Sequence, residues 1–599
     1  MNITSKQVYE SLIQGAYHVI QNKEILNKIN VFPVQDGDTG SNLSSMMRTI
    51  IQKAEHKITV KKTLESVADA SLYGARGNSG IIFAQYFRGL SETMEDGEPV
   101  SFYEYAKASR CAAQYAYEAV EKPVEGTMIT LMREWGSVLS DESYGKWSLE
   151  EIFTNAFKKL ELALERTKEQ LAVLKKANFV DSGAMGFTCF IEGALYYIKN
   201  HDTFECTIQN TKELPFDGFR HETTYDTIEH FRYCTECFLE SENDFCFPEI
   251  KNSLQQMGNS TVVAGYQKKC RIHIHTDAPA EVFAYLFDKG HIIYQKVDDM
   301  YQQEAIVNHR KYDIALVTDS IADLPQAFLD EYQIHIVHLD ILFKNMDYMD
   351  KLTIKPSRLL QMSQNEAELP TFSQPSPKNI ENLLDYLSTY YQSVIIMTVS
   401  REMSGTYNNF LNAARNFKNK DFRISVINTR QNSGAQGLLV KKCAEYISLG
   451  LSHAEIVKCI ENIIPSSKIL VQVNTLDYMM KSGRLSVRAG NLAKWIGMKP
   501  IITLDKEGKG RIESIAFSIA GSYQKIKRHL CKIQVHHDIE QYNIVHVNNP
   551  KGALELAEFI TYIIGIRPAY ITETSSIVAV SAGNGAVAVS YLLKKKGGK

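Results

Sequence analysis

The chain has 599 residues, 44% of them apolar and 23% charged, with a formal net charge of −3. That length exceeds what one hydrophobic core organises and predicts two to four domains. Near-neutral charge, with Lys and Arg spread along the chain, excludes the basic footprint of a nucleic-acid binder. No run approaches eighteen uninterrupted apolar residues, so no integral membrane segment is predicted, and the opening Met1-Asn2-Ile3-Thr4-Ser5 lacks the features of a secretory leader. The ten cysteines are scattered, which predicts reduced thiols in a cytoplasm rather than a disulfide scaffold.

Val8, Leu12, Ala16, Val19 and Ile20, then Leu26 and Ile29, recur at helical spacing and predict one or two amphipathic helices over Ser5–Ile29. A glycine-punctuated loop interrupts them: Asn30-Val31-Phe32-Pro33-Val34-Gln35-Asp36-Gly37-Asp38-Thr39-Gly40-Ser41-Asn42. Taken alone, Asp-Gly-Asp is a turn former. Its two carboxylates, flanked by Asn30, Thr39 and Asn42, also suit Mg²⁺, which is ordinarily held by one or two carboxylates and substrate phosphates. Helical character resumes over Leu43–Lys57 and returns at Thr63–Leu72, Ser101–Val120 and Leu149–Leu174. No alternating strand is predicted before about residue 203, so residues 1–200 read as all-helical.

Three more loops punctuate this region. Gly74-Ala75-Arg76-Gly77-Asn78-Ser79-Gly80 opens an apolar helical run at Ile81. Its amides suit an anion, the bland alternative being a flexible interhelix loop. It lacks the G-K-[ST] ending of a Walker loop. Glu125-Gly126-Thr127-Met128 and Asp181-Ser182-Gly183-Ala184 each open a helix, and taken singly their hydroxyls and carboxylate are ordinary caps. Gathered at one end of a helical bundle, the four loops would hold Mg²⁺ and phosphates, which is the apparatus of phosphoryl transfer.

The string NVFPVQDGDTGSN, with GARGNSG, EGTM and VDSGA following in order, resembles the nucleotide-binding domain of bacterial fatty-acid kinases, itself similar to the L subunit of dihydroxyacetone kinase. The resemblance spans residues 1–200. It implies a barrel of antiparallel helices binding ATP with two Mg²⁺ ions. It further implies Asn30, Asp36 and Asp38 as metal ligands, and Thr39, Asn42, Ser79 and Gly80 as phosphate contacts. Thr127 and Asp181 would lie near the nucleotide, and either Arg76 or Arg484 would neutralise developing charge. Gln35 stands where the family usually has proline.

Beyond residue 203 the pattern changes to a small α/β domain ending near Val307. Strands are predicted at Phe204–Ile208, Tyr233–Leu239, Ser260–Tyr266 and Lys269–His275, and helices at Glu249–Gln256 and Ala280–Lys289. In a strand, residues two apart share a face, so His273 and His275 can grip one ion, with a cysteine of a neighbouring strand completing a zinc set. The alternative is that they are satisfied polar residues on a sheet face. The strings YCTE and IHIHT resemble the middle domain of the same kinases, which implies zinc held by Cys234, His273 and His275. Cys237 is the weaker candidate, and a structural site is expected because no general base stands beside it in sequence.

After Asn308-His309-Arg310-Lys311 the chain alternates strands (Ile314–Thr318, Val394–Val399, Ile424–Ile427, Ile469–Val473, Pro500–Leu504, Ile544–Val547) with helical stretches, which predicts parallel sheets with ligands at the strand ends. VTDSIADLP, TFSQPSP, SREMSGTY and YMMKSGRL resemble the DegV family of fatty-acid-binding proteins over residues 313–599, implying a two-lobed α/β domain enclosing an acyl chain. By motif, Ser373, Ser404, Gly405 and Thr406 would meet its carboxylate, with Arg484 near. The chain departs from the family at Phe372, at Asn428 and at Ser581, which takes a histidine's place among the expected substrate contacts.

The expected architecture is therefore residues 1–200 kinase, 201–307 middle domain and 313–599 acyl-binding domain. The expected reaction is ATP-dependent phosphorylation of a bound fatty acid to acyl phosphate and ADP. The implied partners are ATP, a fatty acid, a second copy in a homodimer and an acyltransferase that consumes acyl phosphate. The expected location is the cytoplasm, with peripheral access to the membrane. Two alternatives remain open at this point: a lipid-sensing protein with regulatory nucleotide binding, and a kinase for a glycerone-type small molecule.

Overall fold

In the computed structural model, residues 1–31, 37–141, 147–200, 231–364, 366, 368–473 and 498–594 are described. The strand predicted at Phe204–Ile208 lies outside them, as do Asp36 and Arg484. The chain divides into two compact units, Met1–Met300 and Tyr301–Lys599.

The first unit opens with helices α1 (Ser5–Gln21), α2 (Lys23–Lys28), α3 (Thr39–Lys53), α4 (Val60–Gly74), α5 (Gly77–Thr93), α6 (Phe102–Ala119), α7 (Met128–Leu139), α8 (Leu149–Gln170), α9 (Ala172–Ala177) and α10 (Ser182–Asn200). Leaving aside the short α2 and α9, each helix packs on the next and α10 returns to α1, closing a ring. Its interior is apolar: Phe83 stacks on Phe87 with centroids 5.0 Å apart and meets Phe190 edge-on at 5.1 Å. Fully burying each such ring contributes roughly 1.5–3 kcal/mol.

The all-helical expectation needs one small correction. Two-residue strands β1 (Asn2–Ile3) and β2 (Val100–Ser101) pair antiparallel, too short to leave an alternating pattern. The predicted helix Leu149–Leu174 also breaks, because Leu171 takes an extended conformation between α8 and α9.

The same unit continues with β3 (Tyr233–Glu240), α11 (Phe247–Leu254), β4 (Asn259–Tyr266), β5 (Lys269–Thr276), α12 (Pro279–Phe287) and β6 (His291–Asp299). The strands form an antiparallel sheet in the order β4-β5-β3-β6. Phe238, Val262 and Ala264 join the core of the helical ring, so one sheet face lies on the ring. The opposite face carries buried Cys237, Leu239, Ile272 and Ile274, with α11 packed on β4 and α12 on β6.

Among the described residues, the second unit contains three sheets. β7 (Ile314–Asp319), β8 (His335–Val337), β12 (Ser393–Thr398) and β13 (Arg423–Asn428) form a parallel sheet in the order β13-β12-β7-β8, as strand–helix alternation predicts. β9 (Asp340–Phe343), β10 (Met346–Met349) and β11 (Thr371–Ser373) make a small antiparallel sheet. The third, ordered β16-β15-β14-β19-β17-β18, comprises β14 (Ser467–Gln472), β15 (Lys499–Leu504), β16 (Gly510–Ala516), β17 (Ile539–His546), β18 (Ile571–Glu573) and β19 (Val587–Leu593). It corrects the parallel expectation, because only β17 and β18 run parallel. A tight turn joins β15 to β16: the Asp505 amide donates to Lys509 O (2.9 Å) and Gly508 sits at φ +92°. So short a connection permits only an antiparallel pair.

Candidate functional sites

Helix starts divide the ring into two ends. α1, α4, α6 and α8 are capped by the side chains of Thr4, Thr59, Ser101 and Ser148, three of them in full capping boxes. The N-cap residues of α3, α5 and α7 are Asp38, Arg76 and Thr127, none of which makes a side-chain cap bond. These three starts meet that of α10. Ser182 Oγ donates to Asn30 Oδ1 at 3.3 Å. A Cβ on Gly77 would stand 2.5 Å from Asn42 Nδ2, and one on Gly183 would stand 3.2 Å from Ser79 Oγ, 3.1 Å from Met128 Cε and 3.3 Å from Asp181 Oδ1. The four loops singled out in sequence therefore converge. Each of the three starts is held from elsewhere in the fold: the Ser41 amide donates to Asn27 Oδ1 (3.0 Å), the Gly77 amide to Glu236 Oε1 (2.8 Å) and the Met128 amide to Asp181, and the gathered helix N-termini favour anions.

α3 starts at Thr39 and α5 at Gly77, so Thr39, Asn42, Ser79 and Gly80 lie in first helical turns rather than in the loops before them. Asn30 and Thr39 are buried. Gly40 is required by close packing: a Cβ there would fall 2.1 Å from Lys23 O. Thr127 Oγ1 donates to Val124 O (2.8 Å). Asp181 is buried and accepts from the Ala184 amide (2.7 Å). Burial raises its carboxyl to about 6, against the amides of Ala184, Met128 and Gly183, which lower it. Two polar atoms here are buried without a protein partner, Arg76 Nη1 and Asn78 Oδ1, as fits a site completed by a bound anion and its cation.

The sheet of the same unit adds a second polar group to this end. Cys234, His273 and His275 bring their ligand atoms within 4.8 Å of one another. Cys234 Sγ lies 3.8 Å from His273 Nδ1, and His273 Nε2 is buried with no partner, so the three residues fit a thiolate–imidazole metal site. Cys237 points to the opposite face, opposite Ile272 in register. The metal candidates are not isolated. The negative charge of Asp38 acts on both Cys234 and Asp298, raising each, after burial as the main cause.

Glu236, Arg271, Lys296 and Asp298 share this face and were missed by sequence reasoning. Cross-strand register brings them together: Glu236 opposes His273 and Lys296, and Cys234 opposes His275 and Asp298. Arg76 stacks over Tyr294 at 3.5 Å and Arg271 at 4.7 Å, and Arg271 Nη2 donates to Ala75 O. Burial, then repulsion from Arg76, lowers Arg271 to about 10. For Lys296, burial is outweighed by Asp298 and Glu236, which push its ammonium up.

In the second unit a cavity with a mostly apolar wall is lined by Ile469, Val471, Ile502, Val545, Ile577 and Val587 among others. Ser373, Ser404 and Ser581 reach it; Gly405 and Thr406 do not. Thr406 is buried with its hydroxyl 2.9 Å from Ser404 Oγ, so it supports Ser404. Ser581 Oγ donates to Ile577 O (3.0 Å) and Ser373 Oγ to Asp340 Oδ2 (3.5 Å). Among the described residues the wall holds no Lys, Arg or His. Asn432, also missed, lines the cavity with Oδ1 buried and unpartnered. Beside it Ser433 takes φ +50°, a left-handed strain a non-glycine residue rarely carries, and donates to Asp323 Oδ2 at 2.6 Å. Only the cavity's tertiary assembly reveals Asn432.

No helix among the described residues is long and apolar enough to cross a membrane. Residues 33–196 match the DAK2 domain, residues 230–307 the middle domain of FakA-like fatty acid kinases, and residues 313–594 the DegV family. Protein YloV of Bacillus subtilis is 30% identical over 307 residues, 50% of this chain and 56% of that protein. The chain spans a little over half the length of the curated relatives it matches. The fatty acid binding DegV family protein of Streptococcus agalactiae is 22% identical with a TM-score of 0.44, covering 48% of this chain and 100% of that one. The fatty acid binding DegV of Bacillus subtilis is 22% identical with a TM-score of 0.43, covering 47% and 100%. The chain is thus built, in order, of a DAK2 domain, a FakA-like middle domain and a DegV-family domain.

Proposed function

We propose that this chain phosphorylates a fatty acid, with ATP bound at the convergent loops of the helical ring and the acyl chain in the cavity of the second unit. The observation that carries the reading is the meeting of four helix starts around Asn30, Asn42, Ser79 and Asp181, three of them with N-cap residues that make no side-chain cap bond. The ring, closed by helices that alternate in direction, would be the antiparallel barrel of this reading. Asn30, Asp36 and Asp38 would hold two Mg²⁺ ions, which supply charge neutralisation to the phosphates. Thr39, Asn42, Ser79 and Gly80 would orient those phosphates, with Thr127 and Asp181 shaping the nucleotide's surroundings. Arg76 and Arg271 offer fixed positive charge where the γ-phosphoryl group becomes electron-rich. A carboxylate acceptor is ionised at neutral pH and needs no strong base. Its head would meet Ser373, Ser404, Asn432 and Arg484, while Ser581 serves the helix more than the ligand. Cys234, His273 and His275 would hold Zn²⁺ beside the nucleotide site rather than at a remote structural position, because the Glu236 oxygen that faces His273 Nδ1 at 3.8 Å also accepts from the Gly77 amide at 2.8 Å.

The reading assigns residues 1–200, 201–307 and 313–599 to kinase, middle and acyl-binding domains. A homodimer, a downstream acyl-phosphate-consuming acyltransferase and a cytoplasmic location belong to the same reading. One observation favours a second function, lipid sequestration with regulatory nucleotide binding: the described cavity wall has no cationic side chain. Binding of Mg-ATP and identification of co-purified lipid by mass spectrometry test both sites at once. The proposal expects a fatty acid and Mg-dependent ATP binding that Asp38→Asn abolishes; ATP binding indifferent to Mg²⁺ and to Asp38→Asn would overturn it.

A further inference from the structure

Glu236 belongs to neither ligand set, yet its carboxylate stands between them. It is 1% exposed. Its Oε1 accepts from the Gly77 amide at 2.8 Å, and the same oxygen faces His273 Nδ1 across 3.8 Å. Its Oε2 is buried with no partner. Gly77 is the first residue of α5 and sits at φ +57°. Arg76, at the N-cap, gives that helix no side-chain bond, so Glu236 caps it from β3. A helix N-terminus attracts any negative charge, and a carboxylate there opposes a phosphate arriving at the same amides.

We infer that Glu236 is a positioning residue that links metal occupancy of the Cys234–His273–His275 cluster to phosphate binding at the first turn of α5, Gly77–Gly80. The inference rests on the two-site reading above. With a divalent cation on the cluster, the charge of Glu236 is compensated from the His273 side and the α5 amides favour a phosphate. With the cluster empty, carboxylate and phosphate repel. Arg271 and Lys296 flank Glu236 and temper this repulsion, leaving a linkage of modest size. Such a linkage is reciprocal: each ligand changes the other's affinity by one factor.

The test is a chelator-competition titration of Zn²⁺ into the full chain, with and without Mg-ADP. The expected result is that Mg-ADP tightens Zn²⁺ about tenfold and Zn²⁺ tightens Mg-ADP equally. Glu236→Gln keeps an acceptor for the Gly77 amide but removes the charge. In that variant the linkage disappears, and Mg-ADP binds the zinc-free protein more tightly than it binds zinc-free wild type. A purely structural cap predicts weaker Mg-ADP binding in Glu236→Gln. That result, or a wild-type chain that binds Zn²⁺ and Mg-ADP independently, overturns the inference. The wild-type titration requires no variant, so poor folding of Glu236→Gln leaves the linkage measured. A wild-type chain that fails to bind Mg-ADP at all instead removes the two-site reading beneath it.

Discussion

Asp350 in the second unit is fully buried, and its carboxylate accepts from the Ser576 amide (2.8 Å) and the Ser320 hydroxyl (2.7 Å). Burial raises it from 3.8 to about 6, while Lys351 and the two hydrogen bonds pull it down. A raised folded value means its contribution to stability is complete below about pH 4 and is lost as pH climbs through about 6. Two pKa units correspond to about 3 kcal/mol. Asp350→Asn is therefore expected to flatten the fall in melting temperature between pH 4 and 7; an unchanged slope would show that another group governs it. At the metal candidate, Cys234→Ser is expected to lower zinc from near one per chain to well below it, measured by elemental analysis after dialysis. Single residues were legible where chemistry sits in a short motif, as with Cys234, His273 and His275. They were illegible where a group is recruited through the fold. Asn432 looks in sequence like any polar residue before a helix, and only burial of its Oδ1 in a cavity wall sets it apart.

At the scale of elements, the α3 and α5 starts depend on close approach. Gly40→Ala places a Cβ 2.1 Å from the Lys23 carbonyl, a backbone atom that cannot step aside. A clear drop in melting temperature is expected, equivalent to about 2 kcal/mol or more. Gly77→Ala sets a side chain at φ +57° and 2.5 Å from Asn42 Nδ2. It is expected to weaken Mg-ATP binding about tenfold by calorimetry while sparing zinc content, the left-handed backbone alone costing roughly 1–2 kcal/mol. Loss of zinc together with nucleotide would mean the whole sheet–ring contact had failed. Helices were readable here because an apolar stripe recurs every three to four residues. Sheet register was not. Glu236 meets His273 and Lys296 through pairings across dozens of residues, and nothing in a local pattern encodes which strands become neighbours. The antiparallel third sheet escaped for the same reason.

At the scale of the molecule, the order of the three domains supplies a reason to expect donor and acceptor chemistry on one chain. On the proposed reading, tethering would raise the effective concentration of the acceptor at the nucleotide site. The most direct test is ADP release from purified protein given Mg-ATP and a panel of free fatty acids, with Asp38→Asn alongside. The expected result is ADP release that depends on fatty acid, accompanied by acyl phosphate trapped with hydroxylamine, and a fall of about a hundredfold in Asp38→Asn. ADP release unaffected by fatty acid, or full activity in Asp38→Asn, would contradict it.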